Sequence, residues 1–188
     1  MGRFLTGVFA AIAFSATVMS GPVLALDVPE KKRTDIGLYL TASEAAQMRA
    51  SRSGTLLIDV RTRAEVAFVG QAAGVDRNIP YMVVDEFWEF DAKKSTYKLS
   101  VNPDFAARVA ELVAARGLGK DATLILMCRS GSRSAKAANL LAKLGYAQVY
   151  SVVDGFEGDK GPSGLRDVNG WKNSGLAWSY KLPPETVY

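Results

Sequence analysis

The sequence predicts an α/β fold: a mainly parallel sheet flanked by helices on both faces. Three observations predict it. Short apolar runs, "TLLIDV" (55–60) and "ATLILMC" (122–128), end abruptly on a charge or a cysteine, as buried strands do. Stretches with helical start and stop signals lie between such runs. Strand and helix alternate along the chain, and parallel neighbours require crossovers of that kind.

Taken in order, Thr41 stands three residues before Glu44, a capping-box pattern that opens a helix at about Ala42. "TLLIDV" is a buried strand. "TRAEVAFVG" (62–70) gives a helical turn or two closed by Gly70, and "VDRNIP" (75–80) a short strand stopped by Pro80. Residues 81–101 fit no clean period and form a long excursion. Their cluster of Phe87, Trp88 and Phe90 is expected in the core rather than as a pocket lid. Asn102 caps a helix with Pro103 at its first position, ended by Gly117. "ATLILMC" is the next strand. Ser134 to Leu144 is a helix with Gly145 as its C-cap, and "QVYSVV" (148–153) is another strand. The Gly- and Pro-rich tail, 154–188, holds the short element "NGWKNSGLAW" (169–178).

The 188 residues allow one domain with a real core. A net charge of +4 with dispersed basic residues does not describe a nucleic-acid binder. The chain has no histidine, which removes Ser-His-Asp and Cys-His catalysis and every His-containing metal site. With one cysteine, neither an intrachain disulfide nor a thiolate zinc cage can form. No metal or other cofactor is expected.

The N-terminus carries Arg3 and then no charge until Asp27, around an apolar stretch from Leu5 to Val18 broken by Gly21 and Pro22. That stretch is short for a membrane span, which needs about 20 residues. It is read as a secretory signal, residues 1–25, with cleavage after Ala25. The remainder divides into a flexible lead-in (26–38), the domain (39–180) and a C-terminal tail (181–188). The mature protein is expected to be periplasmic or secreted, without stable membrane insertion. A lone thiol in an oxidising compartment argues that the thiol is used.

That thiol, Cys128, opens "CRSGSRS" (128–134). A strand end followed by a loop and a helix N-terminus is where open α/β sheets place their sites. Small residues let loop amides turn inward as an anion nest, and the following helix points its positive end at the same spot. An ordinary free thiol, with a pKa of about 8.5, is only a few per cent thiolate at neutral pH. A helix terminus alone contributes about 0.3–1 kcal/mol to an anion. Loop amides and arginine are therefore needed too, and Arg129 and Arg133 are present. An inert cysteine would sit in apolar surroundings instead.

At these residues the sequence resembles the rhodanese-like sulfurtransferases, through "LIDVRTRAEV", "NIP", "LILMCRSGSRSA", "LAKLGYAQVYSVVDGFEG" and "NGWKNSGLAW" in the family's order. The resemblance implies a rhodanese fold with a five-stranded sheet. It implies that Cys128 attacks the sulfane sulfur of a small anionic donor such as thiosulfate, carries it as a persulfide and passes it to a thiol, cyanide or protein acceptor. The loop from Arg129 through Ser130, Gly131, Ser132 and Arg133 to Ser134 would cradle the persulfide, with the arginines holding the donor. Asp59, Arg61 and Glu65 match the family's "DVR…E" pattern and would brace the site, Arg61 and Glu65 being close enough on one turn to pair; a surface salt bridge of little energy is the alternative for the trio. Gln71 stands where members often carry histidine, a structural position whose change bears on packing.

Phosphatases and arsenate reductases use a related thiolate loop with five residues between cysteine and arginine. Here four residues separate Cys128 from Arg133, which suits a sulfur-sized group better than a tetrahedral oxyanion. A Cys-dependent phosphatase or arsenate reductase is the runner-up, and a non-catalytic sulfur carrier or partner-binding module is a further reading.

Overall fold

The computed structural model describes residues 27–188; the expected signal segment lies outside them. In chain order the elements are β1 (Tyr39–Leu40), α1 (Ala42–Ser51), β2 (Thr55–Asp59), α2 (Arg63–Val69), β3 (Gln71–Ala72), β4 (Arg77–Asn78), β5 (Met82–Val84), β6 (Phe90–Asp91), β7 (Thr96–Tyr97), β8 (Leu99–Val101), α3 (Phe105–Ala115), β9 (Thr123–Met127), α4 (Ser132–Lys143), β10 (Gln148–Val152) and β11 (Trp178–Ser179). Five strands pair in the order β1-β10-β9-β2-β4, every pair parallel. The most apolar runs, β2 and β9, lie side by side inside the sheet and are buried throughout, because helices cover both faces.

Period-two alternation divides each central strand between two cores. Leu56, Ile58, Leu124 and Leu126 face Phe105, Val109 and Leu112 of α3 and Ala138 and Leu141 of α4. Leu57, Ile125 and Met127 face Ala42 and Ala45 of α1, with Phe156 and Trp171. Each fully buried Leu or Ile contributes roughly 1.5–3 kcal/mol relative to exposure. Among the described residues no helix is long and apolar enough to cross a membrane.

The expected capping box at α1 forms, with Glu44 N–H donating to Thr41 Oγ1 and Thr41 N–H to the Glu44 carboxylate. The helix after Asn102 begins at Phe105 rather than Pro103, because the Asn102 side chain accepts from Asp104 N–H and makes a turn first. The helix after the cysteine begins at Ser132, two residues earlier than expected, because Gly131 takes a left-handed conformation and starts it.

Two segments differ from their sequence reading. Residues 28–34, expected as a loose lead-in, pack on α4: Val28 and Lys32 are buried, and Lys32 Nζ pairs with Asp159 at 2.7 Å. The excursion at 81–101 is regular, with β5 pairing β8 and β6 pairing β7, both antiparallel. The aromatic cluster expected in the core is not there. Phe87 is 87 % exposed, and Trp88, Phe90 and Tyr97 are about half exposed. They pack edge-to-face on one another, Trp88 and Phe90 both against Tyr97.

Candidate active site: the Cys128 loop

Strand β9 ends at Met127, so Cys128 emerges from the middle of the sheet at its C-terminal edge. The residue is 1 % exposed. The chain then turns through Arg129 and Ser130 to Gly131, whose φ of 96° is open to glycine and whose added Cβ would lie 2.2 Å from the Val153 carbonyl oxygen. This turn brings the Gly131 N–H to within 3.1 Å of Cys128 Sγ. The amides of Ser130, Ser132 and Arg133 have no hydrogen-bond partner among the described residues, and the N-terminal end of α4 adds its dipole at the same place.

Ser134 lies beneath. Its Oγ is 3.5 Å from Sγ, donates to the Gly131 carbonyl at 3.0 Å and accepts from Ser151 Oγ at 2.9 Å. The loop is also held from the following strand's exit. Phe156 N–H donates to the Cys128 carbonyl at 2.8 Å, and Glu157 and Gly158 N–H both donate to that of Arg129. Gly155 permits this clasp, since a Cβ there would meet the Cys128 carbonyl oxygen at 2.5 Å.

The two loop arginines have different situations. Arg133 forms a bidentate pair with Glu65 at 2.7 and 2.5 Å, while Arg129 is exposed. Burial works against the charges of the pair. The Arg133 hydrogen bond and field outweigh it, holding the Glu65 carboxyl at about 2; the Glu65 partner likewise holds Arg133 above its ordinary value. Glu65 is also the N3 residue of a capping box, its carboxylate accepting from Thr62 N–H at 2.9 Å. The Thr-x-x-Glu pattern at 62–65 signals that box in the sequence, yet nothing in the sequence points Glu65 at a residue 68 positions away.

Arg61 therefore does not pair with its turn neighbour Glu65. It pairs with Asp59 at 2.6 Å, both side chains fully buried, donates to the Gly70 carbonyl at 2.7 Å and stacks 3.9 Å over the Phe156 ring. The Asp59–Arg61 pair is interior, not a surface salt bridge. It links β2 and α2 to the segment that clasps the cysteine loop. Gln71 is buried in β3, where its Oε1 accepts from Thr186 Oγ1 at 2.9 Å, so the C-terminal tail docks at the position usually held by histidine.

A cleft of about 650 Å³ opens at the loop. Arg129, Ser132 and Lys136 line one side, and Trp88, Tyr97 and Leu99 of the excursion line the other.

The profile of the rhodanese-like domain family matches residues 41–161, well over half of the chain. The chain belongs to the rhodanese-like domain family. Its fold agrees with that assignment: this rhodanese-like domain matches the crystal structure of Rv0390 from M. tuberculosis with a TM-score of 0.56 and 28 % identity, over 76 % of this chain and 96 % of that one. An uncharacterized protein of Rickettsia conorii is 32 % identical over 75 % of this chain and 96 % of its own length. The chloroplastic thiosulfate sulfurtransferase 16 of Arabidopsis thaliana is 32 % identical over 55 % of this chain and 72 % of its own length. Of the predicted loop residues in this rhodanese-like domain, Gly131 and Ser134 bring polar atoms to the Cys128 sulfur, and Glu65 joins the loop from α2 through Arg133.

Proposed function

We propose that this protein is a sulfurtransferase that moves a sulfane sulfur from thiosulfate or a similar anionic donor to a thiophilic acceptor through a Cys128 persulfide. The observation that carries the reading is the Gly131 N–H donating at 3.1 Å to Cys128 Sγ, within a loop whose next amides are unpartnered. Inward-facing amides of this kind are the donors that would receive the negative charge of a persulfide's terminal sulfur. The sulfurtransferase relative from Arabidopsis supports the same chemistry.

In the first step the Cys128 thiolate attacks the outer sulfur of thiosulfate. A Cys–S bond forms, the S–S bond of thiosulfate breaks, and sulfite leaves with the electron pair. In the second step the acceptor attacks the persulfide's terminal sulfur, and Cys128 leaves as thiolate. In each step one bond to the transferred sulfur forms as another breaks and the electron pair leaves on sulfite or on Cys128, so the transfer consumes no external oxidant or reductant. Arg129 is the cation available to the donor, and Arg133, committed to Glu65, positions the loop.

Incubation with thiosulfate should add one sulfur, about 32 mass units, as expected of covalent catalysis through one nucleophile. Cyanide should remove it, and Cys128→Ser should prevent it. Aryl phosphates and arsenate should turn over poorly. A chain that takes no sulfur from any sulfane donor yet hydrolyses a phosphate ester would overturn the reading in favour of a phosphatase. A chain that loads sulfur but discharges it to neither cyanide nor thiols would be a carrier. The N-terminal pattern further supports export, with a mature chain starting near Leu26; mass spectrometry of the periplasmic fraction tests this.

A further inference from the structure

The Cys128 loop is gripped by a segment that lies before the matched family residues, 41–161. The short turn Glu30–Lys32 packs on α4, and Val28 and Lys32 are buried. The Lys32 side chain runs across the start of that helix. A Cβ added at Gly131 would lie 3.0 Å from Lys32 Cδ, so the methylene stem covers the glycine whose N–H reaches the sulfur. Beyond Gly131 the ammonium donates to both oxygens of Asp159, at 2.7 and 2.8 Å. Lysine suits this course, because its long apolar stem can be buried while its charged end finds a partner.

Asp159 belongs to the segment that clasps the loop from the other side. It follows Gly158, whose N–H donates to the Arg129 carbonyl together with that of Glu157. Asn169 orients it, accepting from the Asp159 N–H at 2.7 Å and donating to the carboxylate at 3.3 Å. Burial works against the Asp159 charge, and the hydrogen bonds of Lys32 and Asn169 outweigh it, holding the carboxyl below its ordinary value. Asp154, the other carboxylate in the field of Lys32, accepts instead from the Ala42 and Gly170 amides. A ring of contacts thus runs from Arg129 through Gly158, Asp159 and Lys32 back to the same loop at Gly131. The Lys32 side chain is 5 % exposed and that of Asp159 42 %. A pair open to water on one side adds little to the stability of a whole fold, so what this one fixes is local.

We propose that Lys32 is a positioning residue for sulfur transfer: it straps the Cys128 loop to the 157–170 segment and so holds the Gly131 N–H on the reacting sulfur. The proposal rests on the sulfur-transfer reading for its kinetic consequence, and on geometry alone for the strap. Lys32 does not line the cleft. It therefore governs the rate of the chemical step rather than the affinity for donor. A misplacement of about 1 Å at a reacting centre can cost on the order of a hundredfold in rate.

Lys32→Met keeps the stem and removes the ammonium. Amide hydrogen exchange of the full chain, followed by NMR, reads the loop without any sulfur chemistry. The Gly131, Glu157 and Gly158 amides should exchange about tenfold faster or more in the variant while the slow amides of β9 keep their rates, as local opening requires. With thiosulfate, the maximal rate of sulfur loading should fall about tenfold, and the half-saturating concentration should stay within about twofold, as for a group that acts on the chemical step. Asp159→Asn should act on the same amides, and the double variant should fall no further than the more affected single one, because both changes break one contact. Unchanged loop amides, faster exchange throughout the sheet, or effects of the two substitutions that multiply would overturn the strap. A raised half-saturating concentration at an unchanged maximal rate would overturn the positioning role. Loss of loop protection in a chain that takes no sulfur from any sulfane donor would support the strap and overturn sulfur transfer.

Discussion

Glu65, in the first turn of α2, and Arg133, in the first turn of α4, share a bidentate ion pair with N–O distances of 2.7 and 2.5 Å. The same carboxylate caps its own helix through Thr62. One side chain thus fixes the start of α2 and anchors the cysteine loop to it.

Removing that carboxylate's charge should therefore loosen the loop. Glu65→Gln is expected to lower stability by about 1.5–3 kcal/mol, the range for hydrogen bonds to charged groups, read by urea denaturation. Arg133→Lys keeps the charge and loses the planar fork, and should cost nearly as much. In thiosulfate turnover, Arg133→Ala should lower kcat by disordering the loop, whereas Arg129→Ala should mainly raise KM. A rise in KM alone for Arg133→Ala would show that it binds donor rather than holding the loop.

The pair also predicts a pH dependence. Glu65 has an ordinary value of 4.5 and is held at about 2 in the fold. A carboxyl with a depressed folded pKa contributes stability that is complete above its unfolded value and is lost as pH falls through its folded one. The stability difference between wild type and Glu65→Gln should thus be constant above pH 4.5 and shrink from there down to about 2. Denaturation curves of both proteins across that window provide the measurement, and a difference unchanged by acid would contradict the assignment.

Gly155 should be nearly irreplaceable. Its φ is +66°, and an added Cβ would meet the Cys128 carbonyl oxygen at 2.5 Å and the Ser130 nitrogen at 2.6 Å. Gly155→Ala is expected to displace the loop and abolish sulfur loading, read by intact mass after thiosulfate treatment. Gly74→Ala is the control. Its φ is +79° but nothing lies within 4 Å of the new Cβ, so only backbone strain of about 1–2 kcal/mol applies, and loading should persist.

At the far end of the chain, Thr186→Val should remove the hydrogen bond to Gln71, whose Nε2 already lacks a partner. A loss of roughly 1–3 kcal/mol is expected for a buried polar group left unsatisfied, seen as a lower urea midpoint, with sulfur loading retained. An unchanged midpoint would mean that the tail does not brace β3.

These contacts show where the sequence was legible. Strands β2 and β9 could be read because both faces are buried and, after a leading threonine, every residue is apolar up to Asp59 and Cys128. The loop could be read because the thiol, small residues and arginines are contiguous. The Glu65–Arg133 and Gln71–Thr186 contacts, 68 and 115 residues apart, could not, since no local pattern encodes which polar side chains a fold will bring together. The excursion resisted for another reason. Its strands, of two or three residues, are too short for alternation to show, and Phe87, Trp88 and Phe90 are exposed to solvent, against the expectation for large apolar residues.

The single thiol has one more consequence. With no second cysteine anywhere in the sequence, a persulfide on Cys128 has no resolving partner within its own chain. It cannot collapse into an internal disulfide and expel its cargo as sulfide. Burial of Cys128 also hinders two copies from meeting thiol to thiol. If Cys128 carries sulfur as proposed, each molecule would hold one cysteine-bound cargo at a time. How long it kept that sulfur would be set by encounters with acceptors, so occupancy would track the supply of donor against the demand for sulfur.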